Sequence, residues 1–473
     1  PSKPVVETLH GVTLTDEFRW LESGKDPAVV EWTKAQHDAA RAFLDRRAPP
    51  VPGRRDELTR IIDRDRSSPP QFRNGRMFIL RTLKGEPQAK LYTQVDGRDL
   101  LLFDPVAFDP SGKTSIGAVT PSPDGTLVAV GTYLKGSEIL EFRILDSRTG
   151  AQQGTPIVGV WGVSWARDQR HVYISPRTAE GDAKQEPRRC YRHRLGSDRK
   201  DDQLLVALTD PKRWCSVYEP QDTDLVVFED GDFWSNRIRI RRGAGEPQTI
   251  FETDKFRAFA EFRRDRVYIR TNHEAPKWKL MTATYDQPAF ADWRTLLPEQ
   301  QSVLEDVEVT SEAILALDRD DVLTRLTAFD REGRRLRELP PPAFGNVSGL
   351  AYDLRTDTAY ATLASHTVPL RAYALPGRSL AWDLVWADDP PVDTTALVAE
   401  RLYVPARDGA RIPVFVVRRK DAPMNGDNPV LLHGYGGFNN AIEPFFIGSL
   451  STFVNRGGIF VDAGIRGGSE YGE

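Results

Sequence analysis

Two glycine-rich segments near the C-terminal end of the sequence carry the residue types most suited to chemistry. The first spans residues 433–439 and reads HGYGGFN, and the second spans residues 464–473 and reads GIRGGSEYGE. Glycine lets a backbone approach a ligand closely and leaves N–H groups exposed as donors. Neither segment has the spacing of a dinucleotide-binding fingerprint or of a phosphate-binding P-loop. On spacing alone, a ligand-binding role and a purely structural role as turns both stay open.

The elements that must position these segments are predicted to open an α/β domain. A domain boundary is expected after Asp388, just before the pair Pro390 and Pro391. The first two runs that follow predict an antiparallel hairpin, and the last two predict buried strands of a mixed or parallel sheet: residues 397–404, 412–418, 428–433 and 458–463. A helix is predicted over residues 445–453, with Gly457 as its C-cap. In open α/β sheets, ligands bind at the carboxyl ends of the strands, where both glycine-rich segments begin.

The middle of the chain repeats one pattern seven times. Each unit has a polar turn followed by a short β-rich run, and the turns begin at residues 74, 124, 168, 222, 265, 311 and 356. A second hairpin follows each run, the first at residues 91–103 and the last at residues 370–386. Four short strands per roughly 40–50 residues are typical of one propeller blade. We therefore predict a seven-bladed β-propeller over residues 67–388, with a pair of β-sandwiches as the alternative.

The first 66 residues carry a helical pattern. Asp26 and Pro27 open a stretch whose apolar residues recur at spacings close to three and four, which predicts an amphipathic helix. A second helix is predicted from Arg54 to Arg64. Because such helices have no place in a propeller blade, we expect residues 1–66 to pack with the C-terminal α/β segment.

Composition excludes several classes of function. The chain has 473 residues, and its 64 Lys and Arg nearly balance its 68 Asp and Glu, which gives a net charge of −4. This balance argues against nucleic acid as a main partner, since a phosphate-binding surface usually shows as a basic excess. No run approaches the ~18–20 apolar residues of a membrane span.

The two cysteines and the remaining motifs imply no bound metal or organic cofactor. Cys190 and Cys215 are too few for a disulfide framework or a four-ligand zinc site, and are expected to be two small buried or half-buried thiols. The sequence has no H-E-x-x-H motif, no cysteine pair at ligand spacing and no dinucleotide fingerprint.

Motifs at both ends of the chain resemble the prolyl oligopeptidase family of serine peptidases. Residues 430–439 (VLLHGYGGFN) and the second glycine-rich segment resemble the start of the family's peptidase domain. Residues 16–22 (DEFRWLE) look like its D-P-Y-x-W-L-E signature, with Glu17 where proline is usual, and residues 271–277 (TNHEAPK) are similar to one of its propeller segments. The resemblance covers the whole chain. It implies a seven-bladed propeller joined to an α/β-hydrolase domain, of which residues 389–473 are the incomplete start.

The resemblance implies roles for two aromatic residues of the first segment. Tyr435 takes the position of the tyrosine whose phenolic O–H contributes to the oxyanion hole, and its alternative is an aromatic ring packed against the loop. A phenol, with an unperturbed pKa near ~10, is neutral at pH 7 and can donate to the oxygen that becomes negative during acyl transfer. Phe438 matches a phenylalanine expected to line the substrate cleft. His433 stands where tyrosine is usual, and is either a local variant or a catalytic group.

The catalytic triad is expected to lie beyond Glu473. A serine hydrolase of this fold needs a G-x-S-x-G elbow followed by the acid and then the histidine. The sequence has no such motif, and the nearest stretch, GGSEY at residues 467–471, has tyrosine in place of the second glycine. All seven histidines lie at or before His433. The 473-residue chain alone is therefore predicted to be inactive.

By resemblance, the function is that of a serine endopeptidase of prolyl oligopeptidase type, which hydrolyses short peptides on the C-terminal side of proline through an acyl-enzyme. A trypsin-like oligopeptidase, an acylaminoacyl peptidase and a peptide macrocyclase are alternatives within the same fold. A non-catalytic propeller that binds a partner across its face is the alternative from another class.

The expected partners are short proline-containing peptides, with neither nucleic acid nor membrane, and the expected state is a monomer. The cytoplasm is the expected compartment. A periplasmic or secreted location stays open because the sequence begins at Pro1 rather than at methionine.

Overall fold

The computed structural model describes residues 2–48, 50–137, 139–177 and 187–472, so Pro1 and the final Glu473 of the second glycine-rich segment lie outside the described residues. Contacts divide the chain into two units, Pro1–Thr59 and Arg60–Glu473. Over these described ranges, no helix is long and apolar enough to cross a membrane.

The first unit contains a hairpin and one long helix. Strands β1 (Val5–Leu9) and β2 (Val12–Asp16) pair antiparallel, and the helix α1 spans Pro27–Arg47. The carboxylate of Asp26 accepts a hydrogen bond from the Ala28 N–H at 2.9 Å, which caps the first turn of α1 as its sequence predicts. The hairpin was not predicted from the sequence.

The signature-like residues 16–22 hold this hairpin together. Arg19, in a 3-10 turn (Arg19–Glu22), pairs with Glu7 on β1 at 2.6 Å and with Asp16 at the end of β2 at 3.2 Å. The second helix, α2, spans Arg54–Ile62 and contains the boundary between the two units. It ends two residues before the predicted Arg64. How residues 1–66 pack remains a prediction.

The second unit begins with antiparallel sheets in a propeller-type arrangement of seven blades. The first blade contains five short strands: β3 (Arg66–Ser67), β4 (Gln71–Arg73), β5 (Arg76–Thr82), β6 (Lys90–Val95) and β7 (Arg98–Phe103). A single helical turn, α3 (Pro105–Phe108), follows it. Blades two and three are one seven-stranded sheet: β8 (Ser115–Pro121), β9 (Leu127–Tyr133), β10 (Leu140–Asp146), β11 (Gln152–Trp165), β12 (His171–Pro176), β13 (Arg189–Arg194) and β14 (Gln203–Ala207).

Blades four to seven are separate four-stranded sheets. Blade four contains β15 (Trp214–Tyr218), β16 (Leu225–Gly231), β17 (Asn236–Arg242) and β18 (Gln248–Glu252). Blade five contains β19 (Ala258–Phe262), β20 (Arg266–Thr271), β21 (Lys279–Thr284) and β22 (Arg294–Leu297). Blade six contains β23 (Val303–Val309), β24 (Ile314–Asp320), β25 (Leu323–Phe329) and β26 (Arg335–Glu338). Blade seven contains β27 (Asn346–Asp353), β28 (Thr358–Ala364), β29 (Arg371–Pro376) and β30 (Asp383–Ala387).

The sequence repeat corresponds to these blades with a fixed phase. The polar turn and β-rich run form the second main strand of every blade, such as β16 or β24, and the later hairpin forms the third and fourth strands. Strand β11 joins two blades because its first part pairs with β10 and its last part pairs with β12. The predicted propeller is confirmed.

Alternating side chains bury the faces of neighbouring blades against each other. In β16, Leu225 and Val227 belong to the apolar cluster shared with blade five, while Phe228 belongs to the cluster shared with blade three. A strand with a buried cluster on each face reads as apolar along its whole length. This two-sided burial favours the propeller over the sandwich alternative.

The first and last blades meet through aromatic stacking and hydrogen bonds. Phe72 stacks on Tyr360 with ring centroids 4.6 Å apart, and the Gly75 N–H donates to the Asp353 carboxylate at 2.8 Å. The indole N–H of Trp386 donates to the Ser67 hydroxyl at 2.8 Å. These contacts join sequence positions more than 250 residues apart and close the ring of blades.

The prediction of two free cysteine thiols is wrong. Cys190 on β13 and Cys215 on β15 form a disulfide across blades three and four. Both side chains point into the same inter-blade cluster, which brings the two sulfurs together. The two cysteines are 25 residues apart in sequence, and nothing in the local sequence pattern predicts that they meet.

The chain then forms a mixed sheet, as its apolar runs predict. Its strands are β31 (Leu397–Pro405), β32 (Arg411–Arg419), β33 (Val430–Gly434) and β34 (Ile459–Ala463), in the order β31-β32-β34-β33. Only β33 and β34 are parallel among these pairs.

The helix predicted over residues 445–453 is shorter than expected. A 3-10 turn (Gly448–Leu450) leads into α4 (Ser451–Val454), and residues 445–447 are not helical. The Ile447 N–H instead donates to the carbonyl of His366 in blade seven at 3.2 Å. Gly457 has φ of +91° and donates its N–H to the Val454 carbonyl at 3.0 Å, so it ends the helix as predicted.

Candidate active site

The two glycine-rich segments meet at one edge of the mixed sheet. We refer to residues 434–442 as the first loop and to residues 464–472 as the second loop. They follow β33 and β34, which are parallel and therefore end side by side. The Asn439 N–H donates to the Gly467 carbonyl at 3.0 Å, and the Ile442 N–H donates to the Glu470 carboxylate at 2.8 Å. Glu470 is 4% exposed, so a buried carboxylate holds the two loops together.

Two glycines allow the close approach of these loops. Gly436 has φ of +60° and Gly467 has φ of +94°, in the left-handed region that favours glycine. A Cβ atom at Gly436 would collide with the Arg466 carbonyl oxygen, and one at Gly467 would collide with the Gly436 carbonyl oxygen. The glycines are therefore required by the contact between the loops.

Tyr435 lies at the surface of the first loop. Its side chain is 52% exposed, and its ring borders Gly437, where a Cβ atom would lie 3.3 Å from the Tyr435 Cε1. The ring thus has a packed side and a solvent-facing side. About half of the residue is therefore open to a bound molecule.

Phe438 belongs to an aromatic cluster shared with the propeller. Its side chain is 72% exposed, and its ring centroid lies 5.8 Å from that of Phe233, in the turn between β16 and β17. Phe233 in turn contacts Trp214, at the start of β15, edge to face at 5.3 Å. We call Trp214, Phe233 and Phe438 the aromatic cluster. It offers an apolar surface three residues along the chain from Tyr435.

The two propeller residues of the aromatic cluster, Trp214 and Phe233, were not predicted from the sequence. The signal was two consecutive large aromatic residues, Phe233 and Trp234, in a tight hairpin turn, where small or polar residues are usual. The Asp232 carboxylate fixes this turn by accepting from the Trp234 N–H at 2.8 Å and from the Ser235 N–H at 2.9 Å. Burial raises the pKa of Asp232, but these hydrogen bonds outweigh burial and lower it below its ordinary value.

A polar cavity of about 490 Å³ lies between blades three and four. Inside it, Asp230 is 1% exposed and accepts from Arg213 at 3.2 Å and from Arg237 at 2.9 Å. Arg213 directly precedes Trp214 in the chain. Apolar and charged groups are thus adjacent on this face of the propeller.

Blade six holds the second loop. The Tyr471 hydroxyl donates to the Asp321 carboxylate at 3.1 Å, and Tyr403 and Arg401 of β31 bind the same carboxylate. Burial, together with the negative charge of Asp321, raises the pKa of Tyr471. A second link is the ion pair between Arg319 of β24 and Glu443 at 2.6 Å. The loops are therefore positioned by the propeller as well as by their own sheet.

The serine nearest to the expected motif does not lie on an elbow between a strand and a helix. Ser469 lies in the second loop, and its carbonyl accepts from the Gly472 N–H at 3.1 Å in a turn. Of the histidines, His433 and His366 both lie near the carboxylate of Asp462. The other five lie in the first unit or in propeller blades: His10, His37, His171, His193 and His273.

Comparison with known families gives a match over most of the chain. Residues 2–377 match the family model described as prolyl oligopeptidase, N-terminal beta-propeller domain. A prolyl endopeptidase of Elizabethkingia meningoseptica is 24% identical over 99% of this chain and 68% of its own length. A dual function macrocyclase-peptidase of Galerina marginata is 23% identical over 98% of this chain and 69% of its own length.

Solved structures resemble this chain over its full length. One of two prolyl endopeptidases studied for inter-domain dynamics in catalysis and specificity has a TM-score of 0.92 and 28% identity, over all of this chain and 71% of its own. Prolyl oligopeptidase B from Galerina marginata, bound to a 35mer hydrolysis and macrocyclization substrate, has a TM-score of 0.88 and 19% identity, over all of this chain and 72% of its own.

Proposed function

The chain belongs to the prolyl oligopeptidase family, and from this premise we propose that it provides the propeller and the oxyanion-binding loop of a serine endopeptidase. The enzyme would hydrolyse short peptides on the C-terminal side of proline. The observation that carries the proposal is the accessible phenol of Tyr435 in a loop that also contributes Phe438 to an aromatic cluster with the propeller. A hydrogen-bond donor for an oxyanion thus lies close to an apolar surface for a proline ring.

In the proposed reaction, Tyr435 donates its O–H to the carbonyl oxygen of the scissile bond as the acyl carbon becomes tetrahedral. We propose that the nucleophilic serine, the acid and the base come from residues outside the printed sequence, because that sequence has no G-x-S-x-G motif. An oxyanion donor without a nucleophile retains only residual catalysis. The 473-residue chain alone is therefore proposed to be inactive.

Phe438 is proposed to contact the proline side chain of the substrate. Aromatic rings supply large apolar contact area, and a proline ring is a compact apolar partner. Trp214 and Phe233 extend this surface onto blade four, so the propeller would contribute to substrate binding as well as to access.

The exposed edge of the mixed sheet supports the proposal that residues 389–473 begin an α/β-hydrolase domain. Val430 is 58% exposed and Leu432 is 67% exposed on β33, the edge strand. An apolar, unpaired strand edge favours pairing with further strands. We propose residues 1–66 as the segment that packs with this domain, residues 67–388 as the propeller and residues 389–473 as the first part of the hydrolase domain.

The disulfide bears on the compartment. Structural disulfides persist mainly in oxidising environments such as the periplasm and the extracellular space. The Cys190–Cys215 bond therefore supports a periplasmic or secreted location over the cytoplasm.

The test of the proposed function uses the protein encoded by the complete coding sequence. It is assayed on a chromogenic peptide ending in Gly-Pro before the reporter, with the matched Gly-Ala peptide as the substrate control. We expect turnover of the proline peptide at least ~100-fold faster than that of the alanine peptide, abolished by a serine-directed fluorophosphonate. The rate difference follows from the apolar contact that a proline ring would make with the aromatic cluster and that an alanine methyl group would largely lack.

Two results would contradict the proposal. Absence of turnover, with peptide binding retained, would support the non-catalytic propeller instead. Turnover insensitive to the fluorophosphonate would exclude serine chemistry. Mass spectrometry of the products of a longer peptide separates hydrolysis from cyclisation, since water and an internal amine can both attack an acyl-enzyme.

A further inference from the structure

A row of four residues crosses the mixed sheet on the face that contacts the propeller. Arg401, Phe415, Asp462 and His433 are register partners on β31, β32, β34 and β33 in turn. Cross-strand partners point to the same face of a sheet, so these side chains lie side by side. Arg401 binds Asp321 of blade six, which identifies this face as the one that meets the propeller.

Asp462 is a buried carboxylate within this row. It is 1% exposed, and its Oδ1 lies 2.8 Å from the Nδ1 of His433. Its Oδ2 is buried and has no hydrogen-bond partner among the residues that the structure describes. The Nε2 of His366 lies 3.9 Å from this oxygen. A carboxylate removed from water needs donors, and the His433 ring supplies one to Oδ1, while the His366 ring lies near Oδ2 without a hydrogen bond.

The two histidines come from different parts of the fold. His433 is the last side chain before the Gly434–Tyr435–Gly436 turn, and its side chain is 51% exposed. His366 follows β28 in blade seven, is 1% exposed, and packs its ring on Phe415 at 5.1 Å. Asp462 thus lies between the strand that precedes Tyr435 and a propeller histidine.

We propose that His433 and Asp462 form a positioning pair that fixes the Tyr435 hydroxyl for oxyanion binding, with His366 supporting the same carboxylate from the propeller. The inference rests on the proposed function of Tyr435. Glycine flanks Tyr435 on both sides, so the residues next to it have no side chains that could anchor the turn. The hydrogen bond from His433 to Asp462 ties the N-terminal side of this turn to β34.

The energetic reason is the sensitivity of oxyanion binding to geometry. The donor must lie within hydrogen-bond distance of the oxygen that develops charge, and a displacement near 1 Å can cost up to ~100-fold in rate. Loss of the His433 side-chain bond removes one restraint from the glycine-flanked turn, while the β33–β34 pairing and the contact between the loops still hold the backbone. This loss affects the transition state more than the bound substrate, so kcat falls more than KM rises.

The first arm of the test measures kinetics in the protein from the complete coding sequence. His433→Ala should lower kcat about tenfold and change KM by less than about twofold. His433→Asn keeps a donor near the Nδ1 position and should restore most of kcat. Asp462→Leu should match His433→Ala, and the double variant should lose no more than the worse single variant because both remove one interaction.

A matched control removes an ion pair beside the second loop without touching the row. Asp408→Ala breaks the exposed pair between Asp408 and Arg466 and should leave kcat and KM unchanged. Reduced kcat in this variant would mean that any perturbation near the loops has the same effect, which would overturn the specific role of His433.

The second arm detects the pair without activity. In protein with ¹⁵N-labelled histidine, a hydrogen-bonded Nδ1–H of His433, assigned by its loss in His433→Asn, should appear in the wild type and disappear in Asp462→Leu. Persistence of the signal in Asp462→Leu would overturn the pairing. Unchanged kcat in His433→Ala of an active enzyme would overturn the positioning role. An inactive wild type with the signal present would overturn only the proposed function.

Discussion

Gly467 and Gly426 have almost the same backbone torsion in different surroundings. Their φ values are +94° and +92°, but a Cβ at Gly467 would collide with the Gly436 carbonyl, whereas a Cβ at Gly426 would meet open space. Gly426→Ala should cost about 1–2 kcal/mol in free energy of unfolding through torsional strain alone. Gly467→Ala should cost more and should also lower the activity of the complete enzyme, because it separates the two loops. Thermal unfolding of both variants checks this difference, and equal unfolding midpoints would contradict the close contact.

Asp318, on β24, gives a pH-dependent prediction. Burial raises the pKa of its carboxyl group to about 6, above the pKa in the unfolded chain. Between these two pKa values the folded state therefore binds one more proton than the unfolded state. Stability therefore falls as pH rises through this window, and the loss is complete above pH ~6. Asp318→Asn should raise the free energy of unfolding at pH 7.5 by about 1–2 kcal/mol, and the gain should shrink at pH 5.

Urea unfolding at the two pH values measures this effect. Asp320→Asn, at an exposed carboxylate on the same strand, is the control and should give no such gain. A gain for Asp318→Asn that is equal at both pH values would contradict the assignment to a buried carboxylate.

Phe438 is the residue on which the proposed substrate contact depends most. Phe438→Ala should raise KM for the proline peptide about tenfold with little change in kcat, because full burial of a phenylalanine side chain is worth about 1.5–3 kcal/mol. Leu336→Ala, at an exposed apolar side chain on β26, should leave KM unchanged. A tenfold loss confined to kcat would place Phe438 outside the substrate-binding surface.

At the scale of elements, the disulfide joins blades three and four, which also share an apolar cluster and the hydrogen bond from the Tyr173 hydroxyl to Glu219. It closes a loop with a sequence separation of 25 residues. Replacing both cysteines by alanine should lower the free energy of unfolding by about 3 kcal/mol in the loop-entropy description. Dithiothreitol should lower the urea midpoint of the wild type to that of the double variant and leave the midpoint of the double variant unchanged. Identical wild-type midpoints with and without reductant would contradict the bond.

The strands were predictable from sequence because turns and alternation are local signals. Asp124, Gly125 and their equivalents mark the start of each second strand, and the α1 cap at Asp26 is equally local. The short helix before Gly457 was overestimated because a carbonyl of blade seven takes the Ile447 N–H. The disulfide and the β1–β2 hairpin depend on contacts that periodicity does not encode.

Some residues of the candidate site were predicted from the sequence, and others come together only in the fold. Tyr435 and Phe438 were identified through motif resemblance. The structure places their loop beside the second glycine-rich loop. Phe233 and Trp214 were missed because they come from a blade about 200 residues earlier in the chain, and Phe233, on which Trp214 packs, meets Phe438 only in the folded state. The role proposed for Asp462 was not predicted because His366, which lies beside its carboxylate, comes from the propeller.

At the scale of the whole molecule, propeller residues contact both glycine-rich loops. Phe233 touches the first loop, and Asp321 binds Tyr471 in the second loop. The Arg319–Glu443 pair adds a charged link between blade six and the chain segment after the first loop. The propeller and the mixed sheet therefore form the candidate site together, with Tyr435 as its proposed chemical centre.

The most direct test of this account removes one oxygen atom. In the protein from the complete coding sequence, Tyr435→Phe should lower kcat on the proline peptide by ~100–1,000-fold while KM stays within about twofold, because the lost donor acts in the transition state. Tyr92→Phe, on β6 of the first blade, is the matched control and should retain full activity. A Tyr435→Phe enzyme with wild-type kcat would contradict the central claim.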